Sequence, residues 1–164
     1  MNPKARQMAI YALLLLVAAS SAIWVYPRLR PGPVALHRAE RLLASGGSSA
    51  VLPLLREAGQ ARGLSLEERL RVAAALRDAG DYAEAEPLYR RLLGTRVDGE
   101  ARFRLAETLA WTGRFLEAAD LCREMLTRDP SDRRARLLLA RVLSWDGRLE
   151  ESIVQYRALL GESP

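Results

Sequence analysis

The stretch WTGRFLEAADLCREMLTRDPSD, residues 111–132, is repeated in outline by WDGRLEESIVQYRALLGESP, residues 145–164. In both stretches a Trp is followed in the same order by Gly-Arg, an apolar residue, a Glu, a small residue and a closing Pro. Trp111 and Trp145 are separated by 34 positions. A fixed spacing of this size indicates an internal structural repeat.

A third copy of the pattern lies in AALRDAGDYAEAEPLYRRLL, residues 74–93, where Gly80 precedes Gly113 by 33 positions. The sequence therefore divides into three repeat units, 66–98, 99–132 and 133–164. In each unit, apolar residues three or four positions apart predict one helix before the Gly and a second helix after it. The Gly suits the left-handed backbone conformation that ends many helices.

Three columns of the second helix are apolar or small in every unit and predict the buried contact between the two helices. These columns are Ala85, Ala118 and Ser152; Tyr89, Cys122 and Tyr156; and Leu92, Met125 and Leu159. The first column holds the smallest residues, so the two helices are expected to cross there. Cys122 stands in the otherwise aromatic column, and we interpret it as a buried structural thiol.

This pattern resembles the tetratricopeptide repeat (TPR), a helix-turn-helix unit of 34 residues, over residues 66–164. The resemblance implies an all-α fold, an α-solenoid of three clear helix pairs whose first helices line a concave surface. The sequence departs from the family in three respects: the family's early Trp is replaced by Arg69, Arg102 and Arg136, the Gly that follows its first Leu is Ala in every unit, and the first unit lacks the closing Pro.

A fourth, degenerate helix pair is predicted at residues 34–65, where Gly47 precedes Gly80 by 33 positions. Its first helix is expected in ALHRAERLLASGG and its second in SSAVLPLLREAGQARG. On this spacing Leu52 stands at the helix crossing and Arg56 in the aromatic column. We interpret the pair as an N-terminal cap of the repeat array.

The N-terminal part of the sequence predicts a membrane anchor. After a basic tail, 1–7, residues 8–26 (MAIYALLLLVAASSAIWVY) contain no charge, and a linker, 27–33, follows. As a helix the uncharged run is roughly 28 Å long, which is close to the thickness of a bilayer core. The rings expected at the membrane interface are Tyr11, Trp24 and Tyr26. An alternative is a signal peptide cleaved after Ala22.

The predicted location is the inner membrane of a bacterium, as a single-pass protein with the C-terminal domain in the periplasm. A short basic tail before the first apolar segment favours this orientation, although Arg28 and Arg30 on the other side nearly balance Lys4 and Arg6. These four residues account for most of the net charge of +5. The rest of the chain is close to neutral, which argues against a nucleic-acid partner.

The sequence predicts no enzymatic function. His37 and Cys122 are the single His and the single Cys of the chain, so His-pair and Cys-based metal sites are excluded. There is no Gly-rich phosphate loop and no nucleophile motif. We therefore predict no catalytic residue, no metal site and no cofactor.

The TPR resemblance implies that variable positions of the first helices carry ligand contacts. The positions that match in this sequence are Arg71, Phe103, Arg104, Glu107, Trp111, Arg141 and Trp145. Two interpretations of the Trp residues stay open: they cover the helix-turn junction, or they form an aromatic, Arg-bearing groove for a peptide or an extended polymer. The Asn and Lys clamp of chaperone-binding members is absent, which argues against recognition of chaperone tails.

A second candidate surface is the last helix of the third unit, which has no following helix to cover it. The apolar residues predicted to face outward there are Ile153, Tyr156 and Leu160. Because repeat arrays normally end in a polar cap, we predict that this face takes part in self-association or binds a partner.

The function predicted from these features is a membrane-tethered scaffold for protein-protein interaction in a bacterial envelope complex. One alternative is a component of exopolysaccharide secretion whose Trp and Arg groove contacts a polymer or its export machinery. This alternative depends on a resemblance of LAWTGR, residues 109–114, and LSWDGR, residues 143–148, to repeats in such proteins. The other alternative is a cleaved, soluble periplasmic TPR adaptor.

Overall fold

The computed structural model describes residues 7, 8, 11, 12, 14–17, 20, 25, 30–45 and 50–161. Within residues 30–45 and 50–161 the chain forms eight α-helices and no strand. They are α1 (Pro31–Ala44), α2 (Val51–Gln60), α3 (Leu66–Asp78), α4 (Tyr82–Leu92), α5 (Asp98–Trp111), α6 (Phe115–Arg128), α7 (Arg133–Trp145) and α8 (Leu149–Leu160). The predicted all-α solenoid is therefore confirmed.

The helices stack in chain order, and each one packs on the next. The first helices of neighbouring units also touch: α1 contacts α3, α3 contacts α5, and α5 contacts α7. The second helices of neighbouring units touch far less. The stack is therefore tighter on the side of the first helices, and these helices line the concave surface.

Small residues allow the two helices of each unit to approach closely. Ala85, Ala118 and Ser152 stand at the crossings, and all three are buried. At the last crossing the Ser152 hydroxyl donates a hydrogen bond of 2.8 Å to the carbonyl oxygen of Ala140. This bond satisfies a polar group that would otherwise destabilise the packed interface.

The aromatic column of the second helices is buried in the units that have a neighbour on both sides. Tyr89 and Cys122 are both fully buried. Burial raises the pKa of the Cys122 thiol to about 12, so the side chain stays a neutral, unreactive thiol at physiological pH. This agrees with the interpretation of Cys122 as a structural residue.

The three turn glycines have the same backbone conformation. Gly80, Gly113 and Gly147 have φ angles of +80°, +77° and +79°. In each turn the residue after the Gly donates its N–H to the carbonyl of the residue five positions before it, for example Arg114 to Leu109 at 2.8 Å. These bonds satisfy carbonyl groups at the end of the first helix, which would otherwise have no partner.

In the second and third units, the Arg that replaces the family's Trp joins the two helices, whereas Arg69 in the first unit donates to the Leu64 carbonyl at 3.2 Å. Arg102, which is almost buried, forms ion pairs with Asp98 on its own helix and with Glu124 on α6. In the next unit, Arg136 donates in the same way to Gln155 on α8, at 3.2 Å. Polar bonds therefore replace the packing of a large aromatic ring at this position.

Asp98 connects the turn that precedes α5, α5 itself and the end of α6. Its carboxylate accepts hydrogen bonds from the Gly94 N–H at 2.7 Å, from Arg102 at 3.0 Å and from Arg128 at 2.6 Å. Partial burial raises the pKa of Asp98, but these hydrogen bonds outweigh it and lower the pKa to about 2. The network stabilises the start of α5 and the end of α6.

The N-terminal helix pair departs from the predicted register. α1 begins at Pro31, inside the range predicted as a linker, because a Pro is well tolerated in the first turn of a helix. In α2 the buried residues are Val51, Leu55 and Ala58. The assignment of Leu52 to the crossing and Arg56 to the aromatic column was therefore wrong by one position.

Arg56 is instead exposed and forms an ion pair of 2.7 Å with Asp81. The offset arises because the spacing between corresponding residues of α2 and α4 is 34 positions, whereas Gly47 and Gly80 are 33 positions apart. The segment that joins α1 to α2 therefore differs in length from the later turns.

The predicted membrane anchor, residues 8–26, falls largely outside the described residues, and this includes Trp24 and Tyr26. Tyr11 is described, is helical and is exposed. A search of the described residues finds no helix with the length and apolar character needed to cross a bilayer.

We predict that replacing Gly113 by Ala destabilises the protein by roughly 1–2 kcal/mol, because an L-residue is strained at a positive φ. An added Cβ meets no atom within 4 Å, so the change in stability reports the strained backbone conformation and not a steric clash. Gly99 is a matched control, since a Cβ added there also meets no atom within 4 Å, but Gly99 lies inside a helix. Gly99→Ala is expected to be neutral or stabilising by roughly 0.5 kcal/mol in urea unfolding. Equal effects of the two substitutions would contradict this account.

We predict that Asp98→Asn lowers the free energy of unfolding at pH 7 by about 1–2 kcal/mol. The folded-state pKa of about 2 lies below the ordinary value of 3.8, so the unfolded chain binds this proton first as the pH falls. The stabilisation is therefore complete only above about pH 5 and is lost progressively as the pH falls through the folded-state value of about 2. Urea unfolding of the two proteins should converge over that range; a difference that stays constant down to pH 2 would contradict the prediction.

Candidate functional site

The concave residues predicted from the sequence fall into two places. Six of them lie together on α5 and α7: Phe103, Arg104, Glu107, Trp111, Arg141 and Trp145. Arg71 lies apart from them on α3, in a separate hollow of about 330 Å³, and forms an ion pair of 3.1 Å with Glu40 of α1. We call the surface of the six residues on α5 and α7 the groove.

The two Trp side chains form an exposed pair at the ends of α5 and α7. Their ring centroids are 6.2 Å apart, and the ring planes are inclined by 43°. Trp111 is 65% exposed and Trp145 is 43% exposed. Covering the helix-turn junction therefore uses only part of each ring, and the remaining surface is available to a ligand.

Arg side chains lie over the aromatic rings of the groove. Cζ of Arg141 lies over the Trp145 ring, 5.0 Å from its centroid. Cζ of Arg134 lies 4.3 Å from the centroid of the Phe103 ring. Both distances are within the range of a cation–π interaction, which restricts the positions of these long side chains.

Carboxylates neutralise the Arg side chains at the centre of the groove. Glu107 forms ion pairs with Arg77 at 2.8 Å and with Arg104 at 3.1 Å. Glu100 pairs with Arg104 at 2.7 Å and with Arg134 at 3.3 Å. Burial raises the pKa of Glu100, but hydrogen bonds from the two Arg side chains outweigh it, so the net pKa is lowered and Glu100 stays charged.

A shallow pocket of about 270 Å³ lies beside Trp111. It is lined by Arg77, Asp78, Tyr82, Arg104, Glu107 and Trp111. Among the described residues, no group of three or more His, Cys, Asp and Glu side chains is placed to hold a metal ion.

Two residues of this surface were not predicted from the sequence, Arg134 over Phe103 and Tyr82 in the pocket. Arg134 precedes the apolar pattern of α7 in a run of two Arg residues, so the spacing does not show which way it faces. Tyr82 follows the turn glycine, at a position held by Phe115 and Leu149 in the later units. The aromatic or large apolar character of that column was the available signal.

The predicted C-terminal face lies on α8. Ile153, Tyr156 and Leu160 are all exposed within the described part of the chain. Tyr156 and Leu160 line a hollow of about 420 Å³ together with Leu137, whereas Ile153 does not. The hollow therefore includes two of the three residues, and Ile153 lies on the same face of the helix, one turn before Tyr156.

The stacked helix pairs, with their first helices on the concave side, define a helical-repeat protein. Two tetratricopeptide repeat family models match the chain, one over residues 70–133 and the other over residues 112–164. Together they cover more than half of the sequence. The chain belongs to the tetratricopeptide repeat family.

Solved structures with this fold are similar over most of the chain. MamA AMB-1 is 22% identical with a TM-score of 0.66, covering 78% of this chain and 76% of that chain. MamA from Desulfovibrio magneticus RS-1 is 23% identical with a TM-score of 0.59, covering 78% and 75%. YrrB, described as a TPR protein with an unusual peptide-binding site, is 16% identical with a TM-score of 0.63, covering 75% and 64%. No curated protein matches the sequence. At these identities the similarity establishes the fold alone.

Proposed function

We propose that this protein is a scaffold that binds an extended segment of another protein in the groove between α5 and α7. The observation that carries the proposal is the exposed pair of Trp111 and Trp145, since exposed Trp residues with neighbouring Arg residues are typical of binding hot spots. The rings stand on neighbouring units, so one ligand segment contacts both units. YrrB is described as having a peptide-binding site, and it shares this fold.

The proposed setting is a bacterial envelope complex, with the protein tethered to the inner membrane by residues 8–26. Support for the tether comes from the absence of charge over these 19 residues. The large apolar side chains described in this range, among them Met8, Leu15 and Val17, are exposed and so do not contribute to the core of the repeats. The repeat domain is then in the periplasm, and a second copy of the chain is included among the proposed partners.

The exposed Trp pair also motivates a second candidate, a polymer ligand such as an exported polysaccharide. Aromatic rings with free faces can stack on sugar rings as well as on apolar side chains. The 43° between the ring planes argues against one flat platform. The experiment that follows distinguishes the two ligands.

We predict that a photo-reactive benzoylphenylalanine in place of Trp111 crosslinks to a protein partner in cells of the source organism. The same residue in place of Leu116, which is 63% exposed on a second helix, is the matched control and should give no such product. Trp145→Ala should abolish the crosslink at position 111, whereas Leu149→Ala on α8 should leave it. A product that survives protease digestion would identify a polymer instead. Equal products at positions 111 and 116 would contradict the groove.

We predict that the full chain stays in the membrane fraction after alkaline extraction and that deletion of residues 8–26 releases it. Replacing Leu14 and Leu16 by Arg should have the same effect, because a charged side chain in the bilayer core costs roughly 2.5–3.5 kcal/mol. Alkaline phosphatase fused after residue 164 should be active if the repeat domain is exported. Release of the full chain by alkali would contradict the tether, and an inactive fusion would contradict the orientation.

A further inference from the structure

Arg141 differs from the other cations of the concave surface because it has no carboxylate partner among the described residues. The other concave Arg side chains each form an ion pair: Arg71 with Glu40, Arg77 with Glu107, Arg104 with Glu100 and Glu107, and Arg134 with Glu100. Arg141 lies over the Trp145 ring instead. Its positive charge is therefore left for a ligand.

The position of Arg141 on α7 explains why none of the described Asp and Glu residues forms an ion pair with it. The helix reads RRARLLLARVLSW and contains no Asp or Glu. The residues one turn before and after it, at 137, 138, 144 and 145, are uncharged. Glu107 is the corresponding residue of α5, 34 positions earlier, but its carboxylate pairs with Arg77 on α3 and with Arg104 on α5 itself.

The contact with Trp145 holds the Arg141 guanidinium in a position from which it can bind a carboxylate. A guanidinium that lies on an aromatic face keeps its N–H groups at its edges, where they remain free to donate. The contact also restricts the side chain, so less conformational freedom is lost when an anion binds. The planar fork of Arg matches the two oxygens of a carboxylate.

The surface next to Arg141 is apolar and aromatic. Trp145 and Trp111 expose 43% and 65% of their surface there. A ligand that places a carboxylate on Arg141 therefore brings its neighbouring residue against the two rings. The combination fits an acidic residue beside a large apolar residue in an extended chain.

We propose that the groove recognises a partner protein through an Asp or Glu side chain that pairs with Arg141, followed by an apolar side chain that packs on Trp111 and Trp145. This inference rests on the proposed binding function of the groove and adds the chemistry of its ligand. A polyanion fits less well, because Glu100 and Glu107 neutralise the other Arg side chains and would repel its further charges.

The test measures binding of three labelled peptide pools to the full chain in a neutral detergent by fluorescence anisotropy. The peptides are nine residues long, acetylated and amidated, with Glu, Gln or Lys at the centre, Leu next to it and uncharged residues elsewhere. The Glu pool is expected to bind roughly five- to tenfold more tightly than the Gln pool, and the Lys pool most weakly. Because the peptides are amidated, a free C-terminal carboxylate does not contribute.

Variants at position 141 assign the preference to one side chain. In Arg141→Gln the Glu and Gln pools should bind within about twofold of each other, with little change for the Gln pool. In Arg141→Glu the order should invert in favour of the Lys pool. Arg133→Gln is the matched control, since Arg133 is an exposed Arg of the same helix beside the C-terminal hollow, and this variant should keep the wild-type preference.

Trp111→Ala and Trp145→Ala separate the ligand chemistry from the function of the groove. Both substitutions are expected to weaken the binding of all three peptide pools. Equal binding of the Glu and Gln pools to the wild type, with loss in the Trp variants, would overturn the acidic ligand and leave the groove standing. A preference for the Glu pool that persists in Arg141→Gln would also overturn the acidic ligand. Binding that neither Trp variant changes, or no binding of any pool, would count against both the ligand and the groove.

Discussion

The close approach of two helices at one small residue is the constraint on which the rest of the structure depends. Ala85, Ala118 and Ser152 leave room for the first helix of each unit, and Ser152 also bonds to the Ala140 carbonyl at 2.8 Å. Larger side chains there would separate the pair and open the buried columns beside it. Since α3, α5 and α7 are placed by these crossings, so are the side chains that project from them into the groove.

The backbone of the repeats could be predicted from the sequence because it follows from the regular spacing of the turn glycines and of the buried columns. Gly113 and Gly147 ended their helices where the period indicated, and Cys122 was buried where its column indicated. The prediction failed in α2, where Leu55 and not Arg56 faces the core, since a turn of different length changed the register. Column spacing is reliable only while every turn keeps the same number of residues.

The candidate site was predicted less completely, for a different physical reason. The register of the first helices placed Trp111 and Trp145 side by side, because ring positions follow from the backbone. It did not show that Glu107 pairs with Arg77 and Arg104 while Arg141 has no carboxylate partner within the described part of the chain. Long charged side chains reach several partners from one backbone position, and the choice among them depends on geometry between units. The distinction between neutralised and unpaired cations therefore needed the structure.

The Trp pair also has a mechanical consequence, because it straddles the boundary between two units. The helices contact only their near neighbours in the stack, so each junction can open without disturbing distant ones. Trp111 belongs to one side of the junction between α5 and α7, and Trp145 belongs to the other. A bound chain that covers both rings connects the two sides of that junction. The end of the array is therefore stiffer when the groove is occupied than when it is empty.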